Sequence, residues 1–219
     1  TVFKLNKEGT KAIDDGQHVY DGHGIDPTIE GPKLYKRNGY YYILCPAGGV
    51  TTGYQLALRS RNIYGPYEGK VVMAQGSTDI NGPHQGALIH TQTEEDWFIH
   101  FQDKGAYGRV VLLEPAKWIN DWPVIGTDKD GDGCGEPVHQ YKNPNVGKSY
   151  PIQAPEESDE FNTGILGLQW QWQANPKVQW SATLKNTGYL RLFAYPSDTG
   201  SNLYNVPNRL LQKFPAPDF

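Results

Sequence analysis

Turn-forming residues divide this chain into short segments. Through about the first 125 residues, apolar or alternating runs are interrupted roughly every eight to twelve positions by Gly, Pro, Asn or Asp. The sequence has 25 Gly, 16 Pro and 14 Tyr but a single Met. Glycine and proline interrupt helices, whereas aromatic and β-branched residues favour strands. We therefore predict an all-β fold built from short strands.

The predicted strands form two groups of four, at 33–36, 40–45, 55–60 and 70–74, and at 86–91, 97–102, 110–113 and 124–126. A similar Gly-Pro element opens each group, beside Glu30 in the first and His84 in the second. Four strands make one blade of a β-propeller, and the first strand of each blade lines the central channel. Glu30 and His84 are then expected to face one pocket. Two packed hairpin sheets of a β-sandwich are the alternative.

Composition changes after the predicted propeller strands. Residues 1–139 are predicted as part of the propeller domain, and residues 140–157, rich in Pro, Asn, Lys and Glu, as a linker. Residues 158–219 alternate apolar and polar side chains again, which predicts strands at 166–172, 180–184 and 189–193. This last segment is predicted as part of a second all-β domain.

Charge and motifs exclude several classes of protein. The net charge is −4 without a Lys/Arg cluster, and no apolar run reaches 18 residues, so we expect neither a nucleic-acid nor a membrane partner. Nucleotide-binding loops, a Gly-x-Ser-x-Gly elbow and zinc-ligand spacing are missing from the sequence. Residues 128–133 begin like a calcium loop, but its twelfth position is His139 instead of glutamate, which predicts a solvated turn. Cys45 and Cys134 make no disulfide framework, and their redox state stays open.

Glu30 stands out as a carboxylic acid at the start of an apolar strand. Gly31 and Pro32 follow it, and Leu34 with the tyrosines at 35 and 40–42 supplies apolar surroundings that predict a raised pKa. A solvated glutamate beside a turn is the alternative. Glu30, His84 and Arg109 hold comparable places in the strand groups, with aromatic residues nearby. Fixed polar groups beside aromatic faces are typical of sugar-binding sites, although most aromatic residues are expected to be structural.

Four segments resemble glycoside hydrolase family 43 in order and spacing, namely 29–35, 59–68, 81–86 and 97–103, and the resemblance continues through 121–124. That family contains β-xylosidases and α-L-arabinofuranosidases on a five-bladed β-propeller. Residues 158–219 resemble the start of the β-sandwich that many members append. The resemblance implies roughly blades three and four onward of such a propeller, followed by part of the sandwich.

The resemblance also implies an inverting mechanism, in which one carboxylic acid protonates the leaving oxygen and a carboxylate about 6.5–9.5 Å away activates water. Glu30 matches the family's general acid. His84 matches the histidine on the propeller axis, where members often hold calcium through waters, so calcium at the propeller centre is expected. Arg109 resembles the arginine that contacts the substrate or the carboxylates, and Phe101 and Gln102 are also expected to contact substrate.

The sequence departs from the family at the other carboxylates. Neither the family's general base nor the aspartate that tunes the acid is matched, since the aspartates before Glu30 lack the expected context; these are Asp14, Asp15, Asp21 and Asp26. Residues 3–6 and 9–11 resemble the end of the second blade. We therefore expect a fragment that lacks the first blades and the general base and is inactive alone. Its open sheet edges predict aggregation or pairing with the missing remainder of its domain.

The expected substrates are hemicellulose-derived oligosaccharides that carry xylosyl or arabinofuranosyl ends. Because such substrates lie outside most cells, an extracellular or periplasmic location is expected, with the cytoplasm as the alternative. A non-catalytic carbohydrate-binding propeller fragment is the alternative function, since a lone acid does not activate the water that inversion requires.

Overall fold

The computed structural model describes residues 1–154, 156–196 and 202–213. The chain divides into two compact units, Thr1–Ser149 and Tyr150–Phe219. This division lies inside the segment predicted as a linker, while the predicted domain limits themselves stay predictions. Within the described ranges, none of the helices has the length and apolar character needed to cross a bilayer.

The first unit contains two four-stranded antiparallel sheets in sequence order. Sheet A comprises β1 (Lys33–Arg37), β2 (Tyr40–Ala47), β3 (Tyr54–Ser60) and β4 (Glu68–Met73). Sheet B comprises β5 (His84–His90), β6 (Asp96–Asp103), β7 (Arg109–Ile119) and β8 (Trp122–Ile125). A one-turn helix α1 (Gly49–Thr52) joins β2 to β3, and a 3₁₀ turn (Gly105–Tyr107) joins β6 to β7. The predicted two groups of four strands are confirmed.

The β1–β2 hairpin shows how the sequence sets the strand register. Asn38 and Gly39 both have left-handed backbones, with φ of 49° and 75°. A two-residue turn of this kind matches the twist of the strands that it joins. Its closure pairs Arg37 with Tyr40 and places Leu44 opposite Lys33.

Alternation along β2 and β3 gives sheet A two apolar faces, because successive strand residues point to opposite sides. One face forms the buried core, which contains Leu44 and Ala57 together with Phe98 of β6 and Ile125 of β8. The opposite face carries Ile43, Cys45, Leu56 and Leu58, with residues of the amino-terminal segment such as Val2 and Val19 packed against it. Sheet A is therefore built to pack on both sides.

After β8 the chain returns to sheet A. Gly135 forms a parallel bridge with Met73, and Ala74 N donates to Gly135 O at 3.0 Å. Just beyond, Val138 N donates to an oxygen of the fully buried Glu114 at 2.8 Å, and the other oxygen of Glu114 lies 3.1 Å from Nε2 of His100. This return segment ties the two sheets together.

The second unit has short strands in two pairs. β9 (Gln171–Trp172) pairs with β12 (Leu210–Leu211), and β10 (Ser181–Thr183) pairs with β11 (Leu190–Leu192). A 3₁₀ turn covers Leu203–Asn205.

The predicted strand over 166–172 is wrong for most of its length. Trp170 N donates to Gly167 O at 3.2 Å, so the chain turns before β9 begins at Gln171. The side chain of Leu168 is fully exposed, at 105% relative accessibility, instead of lining a sheet face.

Candidate active site

The loop before β1 fixes the position of Glu30. Glu30 N donates to Pro46 O at 3.1 Å, which attaches the loop to the end of β2. Gly31 then takes a left-handed backbone with φ of 52°. Glu30 therefore lies three residues before the strand, at the edge of sheet A, and about half of its side chain is exposed.

His84 brings sheet B to the same point. It opens β5, its side chain is 1% exposed, and its Nε2 lies 2.6 Å from Oε1 of Glu30. The two residues are 54 positions apart in the sequence. The two predicted residues are therefore in direct contact, and a pocket that both of them face stays a prediction.

The predicted rise in the pKa of Glu30 is wrong for this chain. Hydrogen bonds from His84 and then Gln85 lower the pKa of Glu30 from its ordinary value of 4.5, and the charge of Arg109 contributes in the same direction. The tyrosines expected to surround the acid are engaged elsewhere. Tyr35 accepts a hydrogen bond from Leu88 N, and Tyr42 donates to the backbone oxygen of Asp121. Donors to the carboxylate therefore outweigh apolar surroundings.

Phe101 and Arg109 adjoin the Glu30–His84 contact. Phe101 lies opposite His84 in the β5–β6 pairing, and their rings meet nearly edge to face with centroids 5.8 Å apart. The guanidinium carbon of Arg109 lies 4.7 Å from the centre of the Phe101 ring. The structure thus places four of the predicted site residues together.

Gln102 is placed differently from Phe101. Successive residues of a strand point to opposite faces, and Gln102 is buried with its Nε2 donating to Asp79 O at 3.0 Å and to Asn81 Oδ1 at 2.7 Å. Its amide nitrogen therefore holds the segment that leads into β5. Contact of Gln102 with substrate stays a prediction.

Asp26 precedes Glu30 in the loop before β1. Its buried carboxylate accepts hydrogen bonds from the hydroxyls of Tyr20 and Tyr54, the latter at 2.8 Å. Burial, together with these bonds, raises the pKa of both tyrosines to about 12. Each carboxylate oxygen of Asp26 thus accepts one tyrosine hydroxyl, and these two bonds tie the loop before β1 to Tyr20 and to β3.

Calcium requires six to eight oxygen ligands. His84 offers nitrogen, its buried Nδ1 has no hydrogen-bond partner within the described part of the chain, and the carboxylate that it contacts is Glu30. Calcium at the propeller centre stays a prediction. Asp128 accepts from Gly131 N and Gly133 N, as in an Asp/Gly turn, and carboxylate oxygens of Asp128, Asp130 and Asp132 lie within 4.8 Å of one another.

Sequence reasoning missed Gln85, whose carboxamide lies against the backbone that follows Glu30. Gln85 lies inside the recognised segment 81–86, but its contact depends on a left-handed backbone with φ of 54°, which the sequence does not announce. The partners of Asp26 were also missed, because Tyr54 is 28 residues away and follows a one-turn helix.

Comparison with known proteins agrees with this arrangement. Residues 1–123 match the Glycosyl hydrolases family 43. The chain belongs to glycosyl hydrolase family 43. Residues 158–219 match the Beta xylosidase C-terminal Concanavalin A-like domain. The first unit is accordingly part of a five-bladed propeller, and its two sheets are blades.

Relatives and a solved structure cover most of the chain. A Xylanibacter ruminicola protein whose description names a β-xylosidase is 47% identical over 215 residues, and the match spans 97% of this chain and 39% of that protein. A β-xylosidase of Formosa agariphila is 38% identical, with 88% and 35% covered. The GH43 protein BlXynB from Bacillus licheniformis superposes with a TM-score of 0.81 at 28% identity, over 98% of this chain and 42% of that one. The chain thus spans about two-fifths of the length of these relatives.

Proposed function

We propose that this chain forms the general-acid side of the active site of an inverting glycosidase. The substrates are hemicellulose-derived oligosaccharides, from which the enzyme removes non-reducing β-xylosyl or α-L-arabinofuranosyl residues. The observation that carries the proposal is the convergence of Glu30 and His84 from two blades, with Arg109 and Phe101 beside them. Relatives named as β-xylosidases and as an α-L-arabinofuranosidase support the two sugar classes. A polymer-derived substrate places the enzyme outside the cell or in the periplasm.

Each residue has a distinct task in this proposal. Glu30 donates a proton to the glycosidic oxygen as the bond to the leaving sugar breaks. Arg109, fixed over the Phe101 ring, presents its guanidinium to sugar hydroxyls or to the carboxylates. The carboxylate that activates water on the opposite face of the sugar is proposed to come from a part of the propeller outside these 219 residues. Its distance from Glu30 is expected to be about 6.5–9.5 Å.

A general acid must carry its proton at working pH, whereas the contacts in this chain lower the pKa of Glu30. A second carboxylate close to Glu30 would raise that pKa, because two negative charges disfavour each other. A cleft of about 360 Å³ lies beside Glu30 and is lined mainly by apolar side chains, including Ile29, Leu34 and Ile43. Covering this cleft in the intact domain would remove water from one side of the acid and raise its pKa further.

The lowered pKa of Glu30 favours one alternative function. An ionised carboxylate accepts hydrogen bonds from sugar hydroxyls but donates no proton, which suits a carbohydrate-binding propeller without catalysis. In that case Glu30 and Arg109 would bind a sugar that is released unchanged.

Hydrolysis by a longer protein that contains this chain within a complete propeller separates the two functions. We expect turnover of aryl β-xylosides or aryl α-L-arabinofuranosides, with the inverted anomer as the first product in ¹H NMR spectra. Glu30→Gln should reduce the rate on xylobiose, whose leaving sugar needs a proton, by about 10²–10⁴-fold, the range for loss of general acid catalysis. The same change at the exposed Glu8 should leave it unaltered.

The 219-residue chain alone is expected to show no turnover, because it lacks the second carboxylate. Turnover by the isolated chain that disappears in Glu30→Gln would contradict this division of the site. A complete propeller that binds xylo-oligosaccharides but releases no product would favour the binding function.

A further inference from the structure

Gln85 has a backbone conformation that is unusual for its residue type. Its φ is 54°, in the left-handed region that residues with a Cβ rarely occupy. The β5–β6 pairing shifts register between His84 and Ala87, so Gln85 lies in a β-bulge near the start of β5. Bulges of this type redirect side chains and are common beside active sites.

The bulge changes where two consecutive side chains point. In a regular strand His84 and Gln85 would face opposite sides of the sheet. Here the carboxamide of Gln85 packs directly on the backbone that follows Glu30. A Cβ built on Gly31 would lie 2.6 Å from its Oε1 and 3.2 Å from its Nε2. The side chains of His84 and Gln85 therefore both contact the loop that carries Glu30.

We propose that Gln85 is a positioning residue, whose amide N–H holds the Glu30 carboxylate in a fixed orientation together with His84. The inference rests on the proposed role of Glu30 as the general acid. A hydrogen bond from Gln85 also contributes to the lowered pKa of Glu30, second to the bond from His84. With two donors on one carboxylate, the acid is fixed in direction before a sugar arrives.

Gly31 fits this arrangement. Its lack of a side chain leaves the space that the Gln85 carboxamide fills, and its left-handed φ of 52° turns the chain from Glu30 into β1. Any larger residue at position 31 would displace the carboxamide by direct contact. Glu30, Gly31 and Gln85 thus form one geometric unit across the two blades.

The hydrogen bond is tested by the side-chain NH₂ signal of Gln85 in ¹H–¹⁵N spectra of this chain. We expect that signal to move in Glu30→Gln and to stay in place in Glu8→Gln, whose residue is exposed. A signal that does not respond to Glu30→Gln would overturn the proposal. The NMR measurement does not depend on hydrolysis. It therefore tests the Gln85–Glu30 hydrogen bond even if the proposed glycosidase function is wrong.

The positioning role is tested in the longer protein that contains the complete propeller. Gln85→Met keeps the side-chain length but removes the donor, and we expect kcat to fall about tenfold for xylobiose while KM stays within about twofold. The same substitution at the exposed Gln140 should change neither. Gln85→Asn introduces a residue that tolerates the left-handed backbone. Its side chain is one methylene shorter, so its amide should no longer reach Glu30 and kcat should also fall. Unchanged kcat in both Gln85 variants would overturn the proposal.

Discussion

Oε1 of Glu30 lies 2.6 Å from Nε2 of His84, and this contact joins the loop before β1 of one blade to the first residue of β5 in the next. The histidine is buried and the carboxylate is half exposed. One partner is therefore fixed by packing while the other is open to solvent. Blade packing in this way determines the position of the acid.

Loss of His84 should change the ionisation of Glu30. The hydrogen bond from His84 is the largest cause of the lowered pKa of Glu30. In His84→Asn the shorter amide does not reach the carboxylate, so we expect the pKa of Glu30 to rise. Titration of its side-chain carboxyl by ¹³C NMR measures this change. His23→Asn, at an exposed position, is the control, and equal titration midpoints for His84→Asn and the parent chain would contradict the assignment.

The buried Glu114 should be important for stability. Its carboxylate accepts from Val138 N and lies beside His100 Nε2, and both side chains are fully buried. Glu114→Ala leaves buried partners without a hydrogen bond, which should lower the free energy of unfolding by roughly 3 kcal/mol. Urea unfolding measures the loss, with exposed Glu8→Ala expected within about 0.5 kcal/mol of the parent. Similar values for the two variants would show that the Glu114 contacts are dispensable.

A methyl group at Gly135 should weaken the return segment between the blades. Its Cβ would lie 1.8 Å from the backbone oxygen of Ile125, which does not move without shifting β8. We expect Gly135→Ala to lower the free energy of unfolding by about 1–3 kcal/mol or more. In Gly131→Ala the new Cβ has no atom within 4 Å. This variant should therefore lower the free energy of unfolding by only about 1–2 kcal/mol, the cost of a left-handed backbone at alanine. Thermal unfolding compares the two, and a higher midpoint for Gly135→Ala would contradict the packing argument.

Stability should depend on pH through Glu136. Lys129, and then Ser77, lower the pKa of Glu136 from 4.5 to about 2. A folded-state pKa below the unfolded value stabilises the fold above about pH 4.5, and that contribution is lost as the pH falls towards 2. The parent chain should therefore melt higher than Glu136→Gln near neutral pH, and this difference should shrink in acid. A difference that is constant with pH would contradict the assignment.

The sequence predicted the fold best where turn residues and alternation agreed. Asn38-Gly39 fixes the first hairpin, and the repeated four-strand pattern predicted both blades and brought Glu30 to His84. It failed at 166–172, where alternation predicted a long strand but a turn at Gly167 precedes β9. Alternation of apolar and polar residues predicts which face of a strand would be buried. It does not predict whether a partner strand is there to pair with it.

The local environment of Glu30 could not be predicted for a related reason. Nearby tyrosines in the sequence suggested apolar surroundings, but their hydroxyl groups bind elsewhere, and the bulge at Gln85 places its carboxamide against Gly31. The pKa of a carboxyl depends on donors placed by tertiary structure more than on neighbours in the sequence. The residue types of a site can therefore be predicted while the sign of a pKa shift is not.

The role of Glu30 as general acid is tested most directly by its dependence on the leaving group. In the longer protein with a complete propeller, kcat/KM is measured for Glu30→Gln and the parent on xylobiose and on 2,4-dinitrophenyl β-D-xyloside. The dinitrophenolate needs little protonation to leave, so the variant should lose about 10²–10⁴-fold on xylobiose and far less on the aryl substrate. Equal losses on both substrates would contradict general acid catalysis by Glu30.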